Sequence, residues 1–381
     1  AASVIGAFVK DGERLTGCLD MNFGGTIKQW ANDGTGKTGN NFRTDFDGNY
    51  AQYNGTVRPV MVNYYENHDH NRAYHSLSDA MTWAGSIGDM QVLMMWEASG
   101  PGNPCIFYGD ERVMMGKKDL TYPGWEATTS TSKFGNTRKF PWDYDGAVGD
   151  IQGTVGKAMK ARQAFPALRY DQDAMYWLLN DGGKPISFRR GSGSTEEVVC
   201  LLNPNDVSFA FNGVNTSAAN TCYKDWFSGT EITTDASANF NYTVGSDYAA
   251  FFKRGCFGVA SCSVTIKVNG VNVKGAIVSV EEKSAYTKRT DVNGWAKIDD
   301  IVTADNGSTN RILKIWYPGN NIYKVLWTFS DGVTANGVID LATDANVGTD
   351  NKAPAVPAGL TATPREAAVV LDWADNDTNK D

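Results

Sequence analysis

Histidine is nearly absent from this chain. There are three in 381 residues, and all of them, His68, His70 and His75, fall within the one stretch YYENHDHNRAYH at 64–75, beside Glu66, Asp69 and Arg72. Cysteine is also sparse. Cys18, Cys105, Cys200, Cys222, Cys256 and Cys262 form no CxxC pair and show no metal-ligand spacing, so no cysteine metal centre is read from them. Four of the six lie in the second half, where Cys200/Cys222 or Cys256/Cys262 can be bridged; spacing leaves the connectivity open, and an oxidising compartment is expected. No run of about 18 apolar residues occurs, so no membrane span is expected. The N-terminus AASVIGAFVKDGERL lacks the charged start and apolar core of a signal peptide, and the chain stops in the polar run DWADNDTNKD, which together suggest a piece of a longer chain. Clusters of Lys and Arg are missing and the net charge is -8, which argues against a nucleic-acid partner. What is abundant is aromatic and small polar: 11 Trp and 16 Tyr with loops rich in Gly, Asn, Asp, Ser and Thr, a composition suited to neutral polar ligands such as sugars.

The length fits two to four domains. Up to about residue 173, RLTGCLDMNF (14–23), RPVMVNYYENHD (58–69) and NPCIFYGDE (103–111) each read as a buried strand that runs into polar residues at its C-terminal end. Helical patterns follow at 76–99 and about 150–165. This order of strand, polar tip and helix predicts a parallel sheet with working residues at the C-terminal strand ends. Only about three strands are present, so either part of a (β/α)8 TIM barrel is missing or the sheet is open. From 174 to 256, short segments such as KPISFRR, EEVVCLLNP and YAAFFKRG, separated by Gly/Asn/Asp turns, predict an antiparallel β-sandwich. A second β module is read at 257–345, with a hairpin at Asn269-Gly270. A Pro/Ala/Asp linker at 346–356 precedes the start of one more β domain at 357–381. The fold class is therefore multidomain: a partial TIM barrel comprising its C-terminal strands, then all-β sandwich domains.

The run MVNYYENHD with the Arg that follows it, here Asn67, His68, Asp69 and Arg72, resembles a strand-end motif of the α-amylase family, glycoside hydrolase family thirteen. GPGNPCIFYGDERVMMG (100–116), with Tyr108, Gly109, Asp110 and Glu111, resembles that family's eighth barrel strand. NTRKFPWD (136–143) resembles its Arg-containing loop, and KARQAFPALR (160–169) its final barrel helix. The resemblance covers roughly residues 1–255. It implies that Asp69 is the carboxylate that supports an oxocarbenium-like transition state, that His68 hydrogen-bonds the same sugar, and that Asn67, Arg72 and Arg138 contact substrate. It further implies that the nucleophile Asp and acid/base Glu close earlier strands and lie upstream, so that this segment alone is expected to be inactive. One decoy, NNFRTD (40–45), places Arg43 and Asp45 in a nucleophile-like pattern, but the Gly/Asn-rich stretch NDGTGKTGNNFRTDFDGNYAQYNG around it reads as a loop. DFDGN (45–49) has the look of a calcium loop without its remaining ligand spacing. No metal ligand is assigned: His68 and His70 would share a side only if the strand persisted past Asp69, where a loop is expected. Structural calcium is expected only in the parent enzyme. Asp110 and Glu111 are read as supports behind the site.

SCSVTIKVNGVNVKGAIVSVEEKSAYTKRTDVNGWAKIDDI, through Gly275, Ala276, Val278, Thr290, Asp291, Gly294 and Ile298, resembles a carboxypeptidase regulatory-like β-sandwich. PAVPAGLTATPREAAVVLDWADN, through Pro357, Leu360, Ala362, Val370, Leu371 and Trp373, resembles the start of a fibronectin type III domain. Such modules imply spacers or polysaccharide and cell-surface contacts. Trp295, Trp316, Tyr317 and Trp327 are read as core packing in preference to sugar platforms. The resemblances together imply a fragment of a secreted or surface-held retaining glycoside hydrolase that acts on α-glucosidic bonds of starch-like glucans or maltooligosaccharides. The alternatives are a non-catalytic surface glycan-binding protein with an amylase-like barrel and an α-glucan transglycosylase.

Overall fold

The structure is a computed structural model, and it describes residues 18–19, 23–31, 37–51, 61–65, 87–113, 151–169, 175–178, 183–280, 286–303, 308–317, 321–330, 332–344, 348–350, 358–365 and 368–374. The chain divides into two compact units, Ala1–Phe257 and Gly258–Asp381. Among the described residues no helix is long and apolar enough to cross a membrane.

In the first unit, β1 (Cys18–Leu19), β2 (Met61–Asn63) and β3 (Asn103–Pro104) pair in parallel and in chain order, with Cys18 opposite Met61 and Asn63 opposite Pro104. No closed barrel is formed by the described residues. The helices are α1 (Phe23–Ala31), α2 (Gly39–Tyr50), α3 (Ile87–Ser99), α4 (Gln152–Ala164) and the single turn α5 (Pro166–Arg169). α3 is buried from Val92 to Ser99 on every side, which explains why its apolar residues form a continuous run instead of a stripe.

The structure corrects the sequence reading at α2, where a loop was expected. Thr38 caps the helix: its Oγ1 accepts from the Asn41 amide at 3.2 Å, and the Asn41 side chain reaches back to the Thr38 amide at 3.3 Å. Phe42, Phe46 and Tyr50, spaced four apart, then form one buried face. Phe42 lies 4.7 Å from Trp30 and 4.8 Å from Trp96 between ring centroids, and burial of such a side chain contributes roughly 1.5–3 kcal/mol. This outweighs the poor helix propensity of Gly, Asn and Asp. Asp45 and Asp47 lie on the exposed side, paired with Lys37 and with Arg43 respectively, and Asp47 also accepts from the Trp177 indole at 3.1 Å. DFDGN is thus a helical turn and not a calcium loop, and Asp45 does not close a strand.

The antiparallel strands that follow are β4 (Tyr176–Trp177), β5 (Ile186–Arg190), β6 (Val198–Asn203), β7 (Phe209–Asn215), β8 (Cys222–Asp225), β9 (Glu231–Thr233), β10 (Asn239–Val244) and β11 (Tyr248–Arg254). Six make one sheet in the order β4-β5-β6-β11-β8-β9, and β7 pairs with β10. Val199 and Leu201 of β6 join Phe211, Tyr223, Phe240 and Phe252 in the sandwich core. The opposite face of the larger sheet meets α3, where Phe188 lies 5.6 Å from Trp96 and Arg190 Nη1 donates to Ser99 O at 2.8 Å. Covered on both faces, β6 needs no polar alternation, and VVCLLN has none.

The disulfide joins Cys222 to Cys256, with Cα atoms 5.6 Å apart, so neither bridge considered from sequence forms. The reason is register. β8 and β11 are antiparallel neighbours with Arg254 opposite Tyr223, which brings Gly255 and Cys256 against Cys222. Cys200 is buried in the middle of β6 and Cys262 in the second unit.

The second unit contains β12 (Gly258–Val268), β13 (Val271–Asn272), β14 (Ile277–Val280), β15 (Thr287–Arg289), β16 (Trp295–Thr303), β17 (Ser308–Tyr317), β18 (Asn321–Ser330), β19 (Thr334–Asp340), β20 (Gly348–Asp350), β21 (Ala358–Arg365) and β22 (Ala368–Ala374). β12 pairs with β13 and β16 and, in parallel, with β19; a second sheet runs β15-β14-β17-β18-β20, and β21 pairs with β22. Val264, Ile266, Val278, Ile298, Leu313, Ile315 and Phe329 fill the core. The Asn269-Gly270 hairpin forms, with φ of 50° and 78° at the two turn residues. Thr290 Oγ1 accepts from the Ala276 amide at 2.9 Å, and Asp291 Oδ1 from the Asn293 and Trp295 amides at 2.8 and 2.9 Å, so this Thr-Asp-x-x-Gly run is a tight turn that organises the strands beside it. Trp327 and Tyr317 pack against the core as expected, whereas Trp295 is 43% exposed, because alternation along β16 turns Ala296 and Ile298 inward and Trp295 out.

Candidate functional site

The C-terminal ends of β2 and β3 lie side by side, and the residues just beyond them are tied together by buried polar contacts. Asn63, at the end of β2, accepts from the Cys105 amide through its backbone oxygen at 2.8 Å, and its side-chain amide donates to Pro101 O. Gly102, with φ of 80°, permits this approach: a Cβ there would stand 2.9 Å from Met61 O. Two residues further along, Tyr65 is buried and its hydroxyl donates to Asp110 Oδ2 at 2.8 Å. Asp110, only 1% exposed, also accepts from the Phe107 amide at 3.1 Å.

The Tyr-Gly-Asp-Glu run after β3 folds into a 3-10 turn, Asp110–Arg112, entered through Gly109 at φ of 89°. Glu111 accepts from the Gly109 amide at 3.1 Å through its side chain and from the Ile151 amide at 3.1 Å through its backbone, which joins the turn to the start of α4. Both carboxyls therefore brace the loop. Tyr108, 38% exposed with its ring 4.8 Å from that of Phe107, shows an aromatic surface at the same strand end.

Behind the strand ends, Arg162 of α4 reaches into the turn between α3 and β3. Its Nη1 donates to Ala98 O at 3.0 Å and Gly100 O at 2.8 Å, and its Nη2 donates to Gly102 O. Burial, with the Arg190 charge nearby, lowers its pKa to about 10, so it stays cationic at neutral pH. Burial first, and then the Glu97 charge, raises the Cys105 thiol above its ordinary value. The roles of Tyr65 and Arg162 were not read from the sequence. Nothing in the spacing links residue 162 to the carbonyls of 98–102; only the packing of α4 on α3 does.

The residues predicted for substrate contact, Asn67, His68, Asp69, Arg72 and Arg138, lie outside the described residues, as do His70 and His75. The described framework is the one that leads into them: β2 anchored by Asn63 and Tyr65, and β3 with its braced turn. Among the described residues, the one grouping of His, Cys, Asp and Glu close enough to hold a metal is Cys222, Glu231 and Cys256; the two sulfurs are joined to each other, and Glu231 pairs with Lys224 at 3.0 Å.

No family model matches the chain. Among solved structures, it is similar to an α-amylase from Geobacillus thermoleovorans, solved with acarbose, at 17% identity and a TM-score of 0.53, over 67% of this chain and 51% of that one. An α-amylase from Anoxybacillus matches at 14% identity and a TM-score of 0.50, over 66% of this chain and 49% of the other. The gamma-CGTase of an alkalophilic Bacillus clarkii matches at 12% identity and a TM-score of 0.50 over 90% of this chain and 63% of that chain, a coverage that reaches into the second unit. The chain spans about half the length of the two amylases. At these identities the likeness is one of fold: over that half, the fold of this chain is similar to that of α-amylases.

Proposed function

We propose that this chain is part of a retaining α-amylase-type glycoside hydrolase acting on the α-glucosidic bonds of starch-like glucans or maltooligosaccharides. The observation that carries the reading is the parallel order β1-β2-β3, with the Asn67-His68-Asp69 run following β2 in the sequence after Tyr64, Tyr65 and Glu66, and the braced Tyr108–Glu111 turn following β3 after Cys105, Ile106 and Phe107. A parallel sheet of this kind presents its chemistry at the C-terminal strand ends. The fold likeness to α-amylases supports the same reading.

In this mechanism two carboxyls about 5 Å apart act as nucleophile and acid/base, and they belong to strands other than β1–β3. Asp69 supplies a third carboxylate, which stabilises the positive charge that develops at the anomeric carbon. His68 hydrogen-bonds the same sugar, and Asn67, Arg72 and Arg138 hold neighbouring hydroxyls. The bond between Tyr65 and Asp110 keeps the preceding strand end from shifting as charge develops. Structural calcium is proposed only for the parent enzyme, and no step depends on it. The Cys222–Cys256 bridge supports an extracellular or surface location. The second unit is proposed to be a regulatory-like sandwich followed by a fibronectin-type start, both serving as accessory modules.

The test is reducing-end release from soluble starch by the full-length protein that carries this chain. Asp69→Asn should lower kcat by about 10²–10³-fold with an unchanged circular dichroism spectrum, and His68→Ala by less. Wild-type turnover in the Asp69→Asn protein would sink the assignment. A folded full-length protein that binds starch without release would make it a glycan-binding protein, and longer or cyclic products would mark transglycosylation.

A further inference from the structure

The outward face of the second unit's first sheet holds an arrangement that neither the core nor the Asp69 site uses. Register places Thr265 of β12 opposite both Trp295 of β16 and Val338 of β19, so these three side chains stand abreast over two strand spacings, about 10 Å. Trp295 is 43% and Val338 59% exposed. The indole nitrogen of Trp295 donates to Ser263 Oγ at 2.8 Å. That bond fixes the ring's orientation and occupies its one polar atom, so what the ring offers a ligand is apolar surface. Lys267, Asn272, Asp291 and Asn293 join the three to line an open groove of about 540 Å³. Asp291 is engaged by the amides of Asn293 and Trp295 at 2.8 and 2.9 Å, and Gly294 holds φ of 72° between them, so the turn carrying both groove residues is rigid before any ligand arrives.

We propose that this groove binds the pyranose rings of a neutral polysaccharide, one ring lying against Trp295 with its hydroxyls bonded to the side-chain amides of Asn272 and Asn293. An amide both donates and accepts, which matches a hydroxyl that does the same. One cation and one carboxylate leave the groove without the net charge that would draw an ionic ligand. A protein interface would centre on a patch depleted in charged and polar groups, and here a single row of Trp, Thr and Val is ringed by them. The groove is open to solvent, which leaves room for a chain that continues past the bound ring. Trp295 and Asp69 belong to different units, so this inference does not rest on the reading of Asp69.

The test uses the whole chain on native gels containing soluble starch or hydroxyethylcellulose. The wild type should be retarded in at least one gel, and Trp295→Ala should weaken that binding about tenfold, the upper value for loss of one aromatic contact. Trp295→Phe, which keeps a smaller ring, should retain part of it, and Asp69→Asn should bind as the wild type does. Unchanged melting of the two Trp295 variants shows that the fold is intact. Retardation in the cellulose gel alone, lost in Trp295→Ala, upholds the groove with a β-linked glucan as its ligand and leaves the reading of Asp69 to its own test. A wild type retarded in neither gel, or a Trp295→Ala protein retarded like the wild type, overturns the proposal.

Discussion

Replacing Arg162 with Met tests whether the turn between α3 and β3 is held by one buried cation. Met keeps most of the apolar stem and removes the guanidinium that now serves Ala98 O, Gly100 O and Gly102 O. Each buried carbonyl left without its donor costs about 1–3 kcal/mol. Part of that is offset, because the charge itself is held against a desolvation penalty, which the lowering of its pKa to about 10 records. The net loss is expected to be about 4 kcal/mol, the cost at the three carbonyls less that offset. With a urea dependence of roughly 3 kcal/mol/M, the midpoint of the first unit's transition should fall by about 1 M. The second unit's transition should not move, since every contact removed lies within the first unit. Arg162→Lys keeps the charge but presents no planar fork, and should fall between the two. A midpoint shift under about 0.3 M for Arg162→Met would refute the clamp, because it would mean that the carbonyls find other partners at little cost.

Three further outcomes follow from the same geometry. Removing the Cys222–Cys256 bridge by double substitution to Ser frees a loop with a sequence separation of 34 and should cost roughly 3–4 kcal/mol, read as a lower melting temperature that reductant no longer changes. Gly294→Ala places a Cβ 2.6 Å from Ile266 O at φ of 72° and should destabilise the second unit by more than about 2 kcal/mol, whereas Gly270→Ala, at φ of 78° with nothing within 4 Å, should cost only about 1 kcal/mol. Equal losses at the two sites would show that the close approach does not matter. Tyr65→Phe removes the hydroxyl bonded to buried Asp110 and should cost about 1–3 kcal/mol and lower starch turnover in the full-length protein without changing the products; unchanged stability would show that Asp110 is satisfied without it.

The sequence by itself determined whatever depends on local pattern. Alternating strands, the Asn269-Gly270 hairpin, the helix near 150–165 and the parallel order of three strands that end in polar residues were all legible, because side-chain period and turn chemistry are properties of neighbours in the chain. α2 could also have been found, since Thr38-x-x-Asn41 is a capping signal and Phe42, Phe46 and Tyr50 keep helical spacing; the surrounding Gly, Asn and Asp obscured it. Other features had no local signal. The partner of Cys222 was decided by the register of β8 against β11, the brace on β2 by a hydroxyl and a carboxylate 45 residues apart, and the clamp by α4 reaching back to three carbonyls. Exposure of Trp295 was decided by which face of β16 the core covers. Such contacts form only when distant segments are packed together, because a hydrogen bond or a buried face depends on distance in space and not on distance along the chain.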